Sequence, residues 1–308
     1  DFCLSRGLGD VYKRQMLFSA GLGVGIVFWG VAEPLTHFLH SPFPGTVKDQ
    51  SEESARLAMG YTFFHWGISQ WSIFAMAGLV VAYFQFRKKR NGLISTAMEP
   101  VFGEAYPRPV RNLIDILAII ATVMGIATSI GLGIMQISGG LHHVFNVPNT
   151  NVTKVAITVL MVCIFLGSAL TGLNRGVKWL SNINIGLGAI LLIFILIFGD
   201  LKFVLESYTL AIGDYLRHFI EYSLRVNPYS GENGWVQKWT VFYWAWVIAW
   251  SPFIGGFVAR VSRGRTIREF VIGVLIIPPL ISFTWIAGFG GTAPVSYTHL
   301  RAHETGRN

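Results

Sequence analysis

Charge is what this sequence lacks most. Only 13% of its 308 residues are Asp, Glu, Lys or Arg, about half the share of an ordinary soluble domain. With 52% hydrophobic residues it has too little polar surface to cover itself in water, which argues against a soluble enzyme or binding module. Cysteine is equally sparse, at 2 residues, so no disulfide framework can be read, and Cys163, inside an apolar run, serves as a small hydrophobe. The chain contains no HExxH, no GxSxG and no paired cysteines for a metal, and its few acids are not paired for acid–base work. An enzyme is not expected. The net charge of +8 does not indicate nucleic acid, because the basic residues fall in short clusters between apolar runs.

What is present is a series of long charge-free gaps. A helix crossing the hydrocarbon of a bilayer needs about 20 mostly apolar residues, since every backbone polar group must be satisfied without water. No Asp, Glu, Lys or Arg lies between Arg14 and Glu33, Arg56 and Arg87, Asp115 and Lys154, Lys154 and Arg175, Lys178 and Asp200, Lys238 and Arg260, or Glu269 and Arg301. The fold class is therefore an all-α membrane protein with about seven transmembrane helices.

Basic residues in short loops tend to remain in the cytoplasm. Arg87, Lys88, Lys89, Arg90, Arg108 and Arg111 fall in one connection, Arg175 and Lys178 in a second, and Arg260, Arg263, Arg265 and Arg268 in a third. These alternate with outward loops such as His142 to Thr153. Between Asp200 and Lys238, Tyr208, Ile212, Tyr215, Leu216, Phe219 and Ile220 recur at helical spacing, with Asp214, Arg217, His218 and Glu221 between them. That pattern predicts an amphipathic helix on the membrane surface, structural or gating in role.

The stretches 1–15 and 296–308 fit none of this patterning and resemble translated adapter or vector sequence. They are expected to be non-native tails around a transporter membrane domain fragment at 16–295, with the native protein continuing in both directions.

Three segments can carry chemistry. The first span reads FSAGLGVGIVFWGVAEP, with Gly21, Gly23 and Gly25 on alternate residues. The glycines allow either close helix packing through the Gly21/Gly25 pair or a local unwinding that opens backbone carbonyls to an ion or zwitterion. The second span holds FFHWGISQWSIF. On one continuous helix Trp66, Trp71 and Phe74 fall within about 140° of one face, and they read as interfacial anchors or as a binding box. His65 is the titratable group deepest in a span, a packing residue or a functional one.

The third segment, WTVFYWAWVIAWSPF, packs Trp239, Tyr243, Trp244, Trp246 and Trp250 into twelve residues, with Trp246 and Trp250 on one face. An interfacial belt explains one end of a helix but not a tryptophan run continuing into its middle, so binding is favoured here. Aromatic faces select quaternary ammonium groups, which cannot donate ordinary hydrogen bonds.

At these residues the sequence resembles the betaine/choline/carnitine transporter family. WTVFYWAWVIAWSPFIGGFVARVSRGRTIREF, from Trp239 to Phe270, is similar to the family's signature segment, and GLGVGIVFWGVAEP, HWGISQWSIF and ATVMGIATSIGLGIMQISGGL match further blocks in order. The resemblance implies a twelve-helix secondary transporter built on two inverted repeats of five helices. This chain would supply the third to ninth helices, with the first repeat complete from Leu17 through Phe203. It further implies a substrate site at Trp66, Trp71, Phe74, Trp244, Trp246 and Trp250 with Gly21, Gly23 and Gly25, and an ion site at Thr122 and Phe253 with Ser19 and Leu22. Phe74 stands where some betaine carriers have Tyr, Val247 interrupts a common Trp–Trp pair, and Ile126 replaces a second hydroxyl at the ion site. Choline carriers often place Asp at the position of Gly25, so the glycine points to a substrate carrying its own carboxylate.

The expected function is ion-coupled import of glycine betaine or a similar zwitterion for osmoprotection, across a bacterial or archaeal plasma membrane. The coupling ion would be sodium or a proton, no other cofactor is implied, and relatives form homotrimers. Choline import and carnitine-type exchange are the alternatives within the family, and a non-transporting membrane scaffold or sensor is the alternative outside it. A channel is disfavoured, because a Trp-rich centre is not a continuous polar pore. The charge pattern makes one direct prediction: a cysteine placed at Asn91 should resist a membrane-impermeant thiol reagent added to intact cells, and labelling from outside would reverse the orientation.

Overall fold

The computed structural model describes residues 23–43, 46–103, 106–170, 178–226 and 234–294. Both expected tails lie outside them, as do Ser19, Gly21 and Leu22. Every regular element among the described residues is helical. In chain order the helices are α1 (Val24–Leu39), α2 (Glu52–Trp66), α3 (Ile68–Ala82), α4 (Ile94–Ala97), α5 (Glu99–Phe102), α6 (Arg108–Phe145), α7 (Asn151–Leu170), α8 (Lys178–Phe198), α9 (Leu201–Ser223), α10 (Gly234–Val236), α11 (Phe242–Val261) and α12 (Ile267–Trp285). Wider π-helical turns extend α3 through Tyr83–Arg87, lead into α11 through Gln237–Val241 and prolong α12 through Ile286–Gly290.

Among the described residues six stretches are long and apolar enough to cross a membrane: Glu52–Arg87, Arg108–Phe145, Asn151–Ser168, Trp179–Phe198, Gly234–Val261 and Ile267–Pro294. The seventh expected span appears as α1, of which 16 residues are described. Local signals explain the boundaries. The Ser51 hydroxyl accepts the Ser54 N–H while the Ser54 hydroxyl accepts the Ser51 N–H, a capping box that starts α2 with Glu52 and Glu53 at the positive end of the helix. Thr266 and Glu269 start α12 in the same way. Between α6 and α7, Asn146 adopts the left-handed conformation, φ 56°, that closes a helix end.

The helices that build the centre are α1, α2, α3, α6, α11 and α12. α3 packs along α11 and α12, α2 lies between α1 and α9, and α6 closes against both α1 and α11. By contrast α7 and α8 present Leu160, Leu166, Leu187 and Phe194 outward, as lipid-facing helices do.

The surface helix α9 differs from its sequence pattern in one respect. Asp214, expected among the exposed polar residues, is buried and pairs with Arg56 of α2 through two hydrogen bonds of 2.5 and 2.6 Å, while Leu216 and Ile220 are exposed. The helix turns its tyrosines and Asp214 toward α2 because that face carries an arginine, and leaves aliphatic residues where lipid can meet them.

A second difference matters more. Trp66 and Trp71 do not share a continuous helix, because Gly67 is extended (φ −91°, ψ −152°) and separates α2 from α3. A side chain at Gly67 would stand 2.5 Å from the Phe63 carbonyl oxygen and 2.7 Å from the Tyr215 hydroxyl. The break exposes the first N–H groups of α3, and Tyr215 of α9 accepts the Ile68 N–H at 3.0 Å. Burial pushes the Tyr215 hydroxyl up to about 12, so it stays neutral at physiological pH. We predict that Tyr215→Phe, which preserves shape, lowers stability by about 1–3 kcal/mol through the stranded donor; an unchanged thermal midpoint in detergent would show that the break does not depend on this bond.

Candidate functional site

A cavity of about 240 Å³ opens where the break in α2–α3 faces α11 and the start of α1. Trp66 reaches it from the end of α2, Trp71 and Phe74 from α3, Trp246 and Trp250 from α11, and Gly23 and Gly25 from the start of α1. Ile126, Ser129 and Ile130 of α6, with Met161 and Phe165 of α7, also line it, as does Val247 of α11. Trp66, Trp71 and Phe74 are 5%, 3% and 5% exposed, far from the half-exposed state of an interfacial aromatic. The Trp66 and Trp246 indoles meet edge to face, with centroids 6.2 Å apart at 83°.

Each wall follows from local geometry. Trp246 and Trp250 are one helical turn apart on α11 and so point the same way. Trp244 lies two residues before Trp246, about 200° around the helix. The structure accordingly directs it to the other side of α11, against Phe64 at 5.6 Å and His65 at 6.1 Å between ring centroids, and does not bring it to the cavity. Gly25 faces the gap between two indoles: a Cβ there would stand 2.5 Å from Trp246 Cη2 and 3.2 Å from Trp66 Cη2. Gly125 of α6 plays the matching part for Trp250, whose indole occupies the space a side chain would need. Gly23 is extended (φ −88°, ψ 169°) and precedes the first turn of α1, so the backbone at the mouth of the site is not helical there.

Sequence reasoning passed over Gln70. It is buried on α3 between Trp66 and Trp71 and lines the cavity, and its signal was an uncharged polar residue inside an apolar span. The Nε1 groups of Trp71, Trp246 and Trp250 and the Oε1 of Gln70 are buried without a hydrogen-bond partner. The cavity thus combines aromatic faces with unused polar groups.

Thr122 and Phe253 also come together, across α6 and α11, on a separate cavity of about 260 Å³ that Asp115 shares. The Thr122 hydroxyl donates to the Ala118 carbonyl at 2.8 Å, and both Asp115 oxygens accept from Ser95. Ile126 faces the aromatic cavity instead.

Beside the aromatic cavity lies a buried polar cluster. Glu33 of α1, 0% exposed, places Oε1 2.5 Å from His65 Nδ1 and accepts at Oε2 from the Tyr243 hydroxyl at 2.5 Å and the Trp66 indole N–H at 3.2 Å. His37, one turn along α1, holds Nε2 3.5 Å from Oε1 and accepts the Trp235 indole N–H on Nδ1 at 3.4 Å. Two donors on one tetrahedral metal ion stand roughly 3.3 Å apart. Glu33 and His65, 2.5 Å apart, are in direct hydrogen-bond contact, closer than two ligands of one such ion.

Comparison with known proteins assigns this architecture. The profile of the BCCT (betaine/carnitine/choline) transporter family matches residues 14–303. The chain belongs to the BCCT family. The chain is 57% identical over 278 residues to the ectoine/hydroxyectoine transporter of Virgibacillus pantothenticus, covering 90% of this chain and 55% of that one. It is 46% identical over 279 residues to the glycine betaine transporter OpuD of Bacillus subtilis (strain 168), covering 90% and 54%. To the high-affinity choline transport protein of Escherichia coli (strain K12) it is 39% identical over 284 residues, covering 92% and 42%. The chain spans about half the length of the first two of these BCCT relatives.

The geometry at Gly25 yields a prediction for this BCCT chain's site. Gly25→Ala should displace the Trp246 and Trp66 rings and weaken binding of any ligand between them at least a few-fold, with the protein still folded, as read by equilibrium binding to the purified full-length protein. Unchanged affinity would mean that the ligand does not use this wall.

Proposed function

We propose that the protein is a secondary transporter that imports glycine betaine, or a compact zwitterion like it, by ion-coupled alternating access across a bacterial plasma membrane. The observation that carries the reading is the cavity walled by Trp66, Trp71, Trp246 and Trp250 with the bare backbone of Gly25 on one side. A quaternary ammonium group offers no proton to a hydrogen-bond acceptor and is attracted instead to indole faces, by about 0.5–2 kcal/mol per contact according to desolvation. A small cavity with several such faces suits one trimethylammonium head.

The carboxylate half of the substrate follows from what the cavity lacks. No Asp or Glu lines it among the described residues, so a lone cation such as choline would be buried without a counter-charge, which is costly. A zwitterion brings its own. The unpaired indole N–H groups of Trp71, Trp246 and Trp250 are donors that a carboxylate can use. Ectoine, named for the Virgibacillus relative, is also a compact zwitterion with a delocalised cation and is the second substrate this cavity suits.

Replacing Trp246 or Trp250 by Leu in the full-length protein keeps bulk and apolarity but removes the ring quadrupole. Affinity for glycine betaine should fall by about 0.5–2 kcal/mol, a few-fold to about thirty-fold, while Phe and Tyr do less harm. If the tryptophans are membrane anchors, Leu will instead lower insertion and leave the affinity of the surviving protein intact. Titrating betaine, ectoine and choline against each variant separates the two and ranks the substrates.

A further inference from the structure

The cluster around Glu33 is a group of ionisable side chains that substrate binding does not use, although Trp66 belongs to both. Three hydrogen-bonding groups converge on one carboxylate at zero exposure, His65 on one oxygen and Tyr243 and Trp66 on the other, while His37 Nε2, buried without a hydrogen-bond partner, stands 3.5 Å away. Among the described residues no Lys or Arg is hydrogen-bonded to it. Among the described residues the ionisable groups recorded against it are His37 on its own helix, His65 on α2 and Tyr243 on α11, with Tyr61 of α2 beyond His65 at 6.2 Å between ring centroids. α6 carries no ionisable side chain between Asp115 and His142, α12 none between Glu269 and Trp285, and the Ile286–Gly290 turn none. Lys238, before α11, is exposed, and Arg225 lies over the Phe43 ring and pairs with Glu221.

The Glu33–His65 pair can hold two protonation states with each of its own polar atoms partnered. His65 Nε2 lies 3.0 Å from the Thr240 hydroxyl. With one proton fewer, a neutral His65 keeps its hydrogen on Nδ1 for Glu33, and the Thr240 hydroxyl donates to Nε2. With one proton more, the pair is a neutral ion pair or a neutral acid beside a neutral imidazole, and the hydroxyl turns to accept from Nε2 where that nitrogen is protonated. The first state carries a net negative charge and the second none. Burial at zero exposure without a cationic partner favours the second. Water around the same groups removes that preference.

We propose that the Glu33–His65 pair is a proton-binding site that takes up one proton when the aromatic cavity closes on its substrate, with Trp66 as the mechanical link. The inference deepens the transport reading and rests on it for the substrate, though not for the proton. Trp66 forms a cavity wall and donates its indole N–H to Glu33, so a move of α2 that opens the cavity also changes the acid's surroundings. By linkage, proton uptake on binding means that affinity is highest at low pH and falls as pH rises.

The test is calorimetric titration of glycine betaine into the full-length transporter across pH, in two buffers of different ionisation heat. The expected result is uptake approaching one proton per substrate bound, with affinity weakening by up to about tenfold per pH unit. Glu33→Gln, whose carboxamide oxygen still accepts from Tyr243 and Trp66, should flatten both. Thr240→Val keeps the volume and the acid but removes the hydroxyl that serves both states, and should shift the midpoint of proton uptake. Binding without proton uptake, uptake preserved in Glu33→Gln, or an unmoved midpoint in Thr240→Val overturns the proposal. Infrared difference spectra of the substrate-free protein across pH read the proton directly. A carboxyl or imidazolium band that titrates and is lost in Glu33→Gln sustains the site even where no quaternary amine binds, in which case the substrate reading alone fails; the absence of any such band overturns it.

Discussion

The hydrogen bond from the Ile68 N–H to the Tyr215 hydroxyl satisfies a constraint that governs the rest of the molecule. A helix inside a membrane satisfies its own backbone, and a break in it must borrow partners from elsewhere in the protein. Here the break at Gly67 turns Trp66 and Trp71 onto one cavity from two helix ends, which a straight helix would present as two positions on one side of a rod. Its partner comes from α9, a helix that by composition belongs to the membrane surface. The surface helix therefore has a structural task at the centre, and its burial of Asp214 against Arg56 fixes its register on α2.

Glu33 supplies the second fixed point. It gathers α1, α2 and α11 around one carboxylate through His65, Tyr243 and Trp66, and the same three helices supply Gly25, Trp66, Trp246 and Trp250 to the cavity. Helices in a membrane have no hydrophobic force driving them together, because lipid is as apolar as their side chains, so polar contacts and close fit carry more of the specificity. Both appear here: the carboxylate on one side of Trp66, and on the other the glycine at 25 that lets the Trp66 and Trp246 rings approach the backbone.

How much of this was legible in the sequence depends on whether the signal was local. Charge-free gaps are local, and they anticipated α6, α7, α8, α11 and α12 closely, with α9 between them. The shared direction of Trp246 and Trp250 was legible from helical period alone. The same period places Trp244 on the opposite side of α11, a consequence the tryptophan run obscured because composition carries no direction. The break at Gly67 was not legible, since an isolated glycine in an apolar run is more often absorbed into a helix, and what holds the break open, Tyr215, lies 148 positions further on. Glu33 and His65 were each visible as residues. Their pairing, across 32 positions and two helices, was a property of packing.

The aromatic content of the chain can be sorted by the same physics. An interfacial tryptophan keeps its N–H in the headgroup region and its ring half exposed; Trp179, 66% exposed at the start of α8, has the exposure for it. Trp66 and Trp71 are nearly inaccessible, and the Trp71, Trp246 and Trp250 N–H groups are buried without protein partners. An unpaired buried donor costs about 1–3 kcal/mol. A protein that needed these residues only to fill space could use Phe or Leu and avoid that cost. Indoles at these positions accord with the proposed site, where a zwitterion would meet both the rings and their N–H groups.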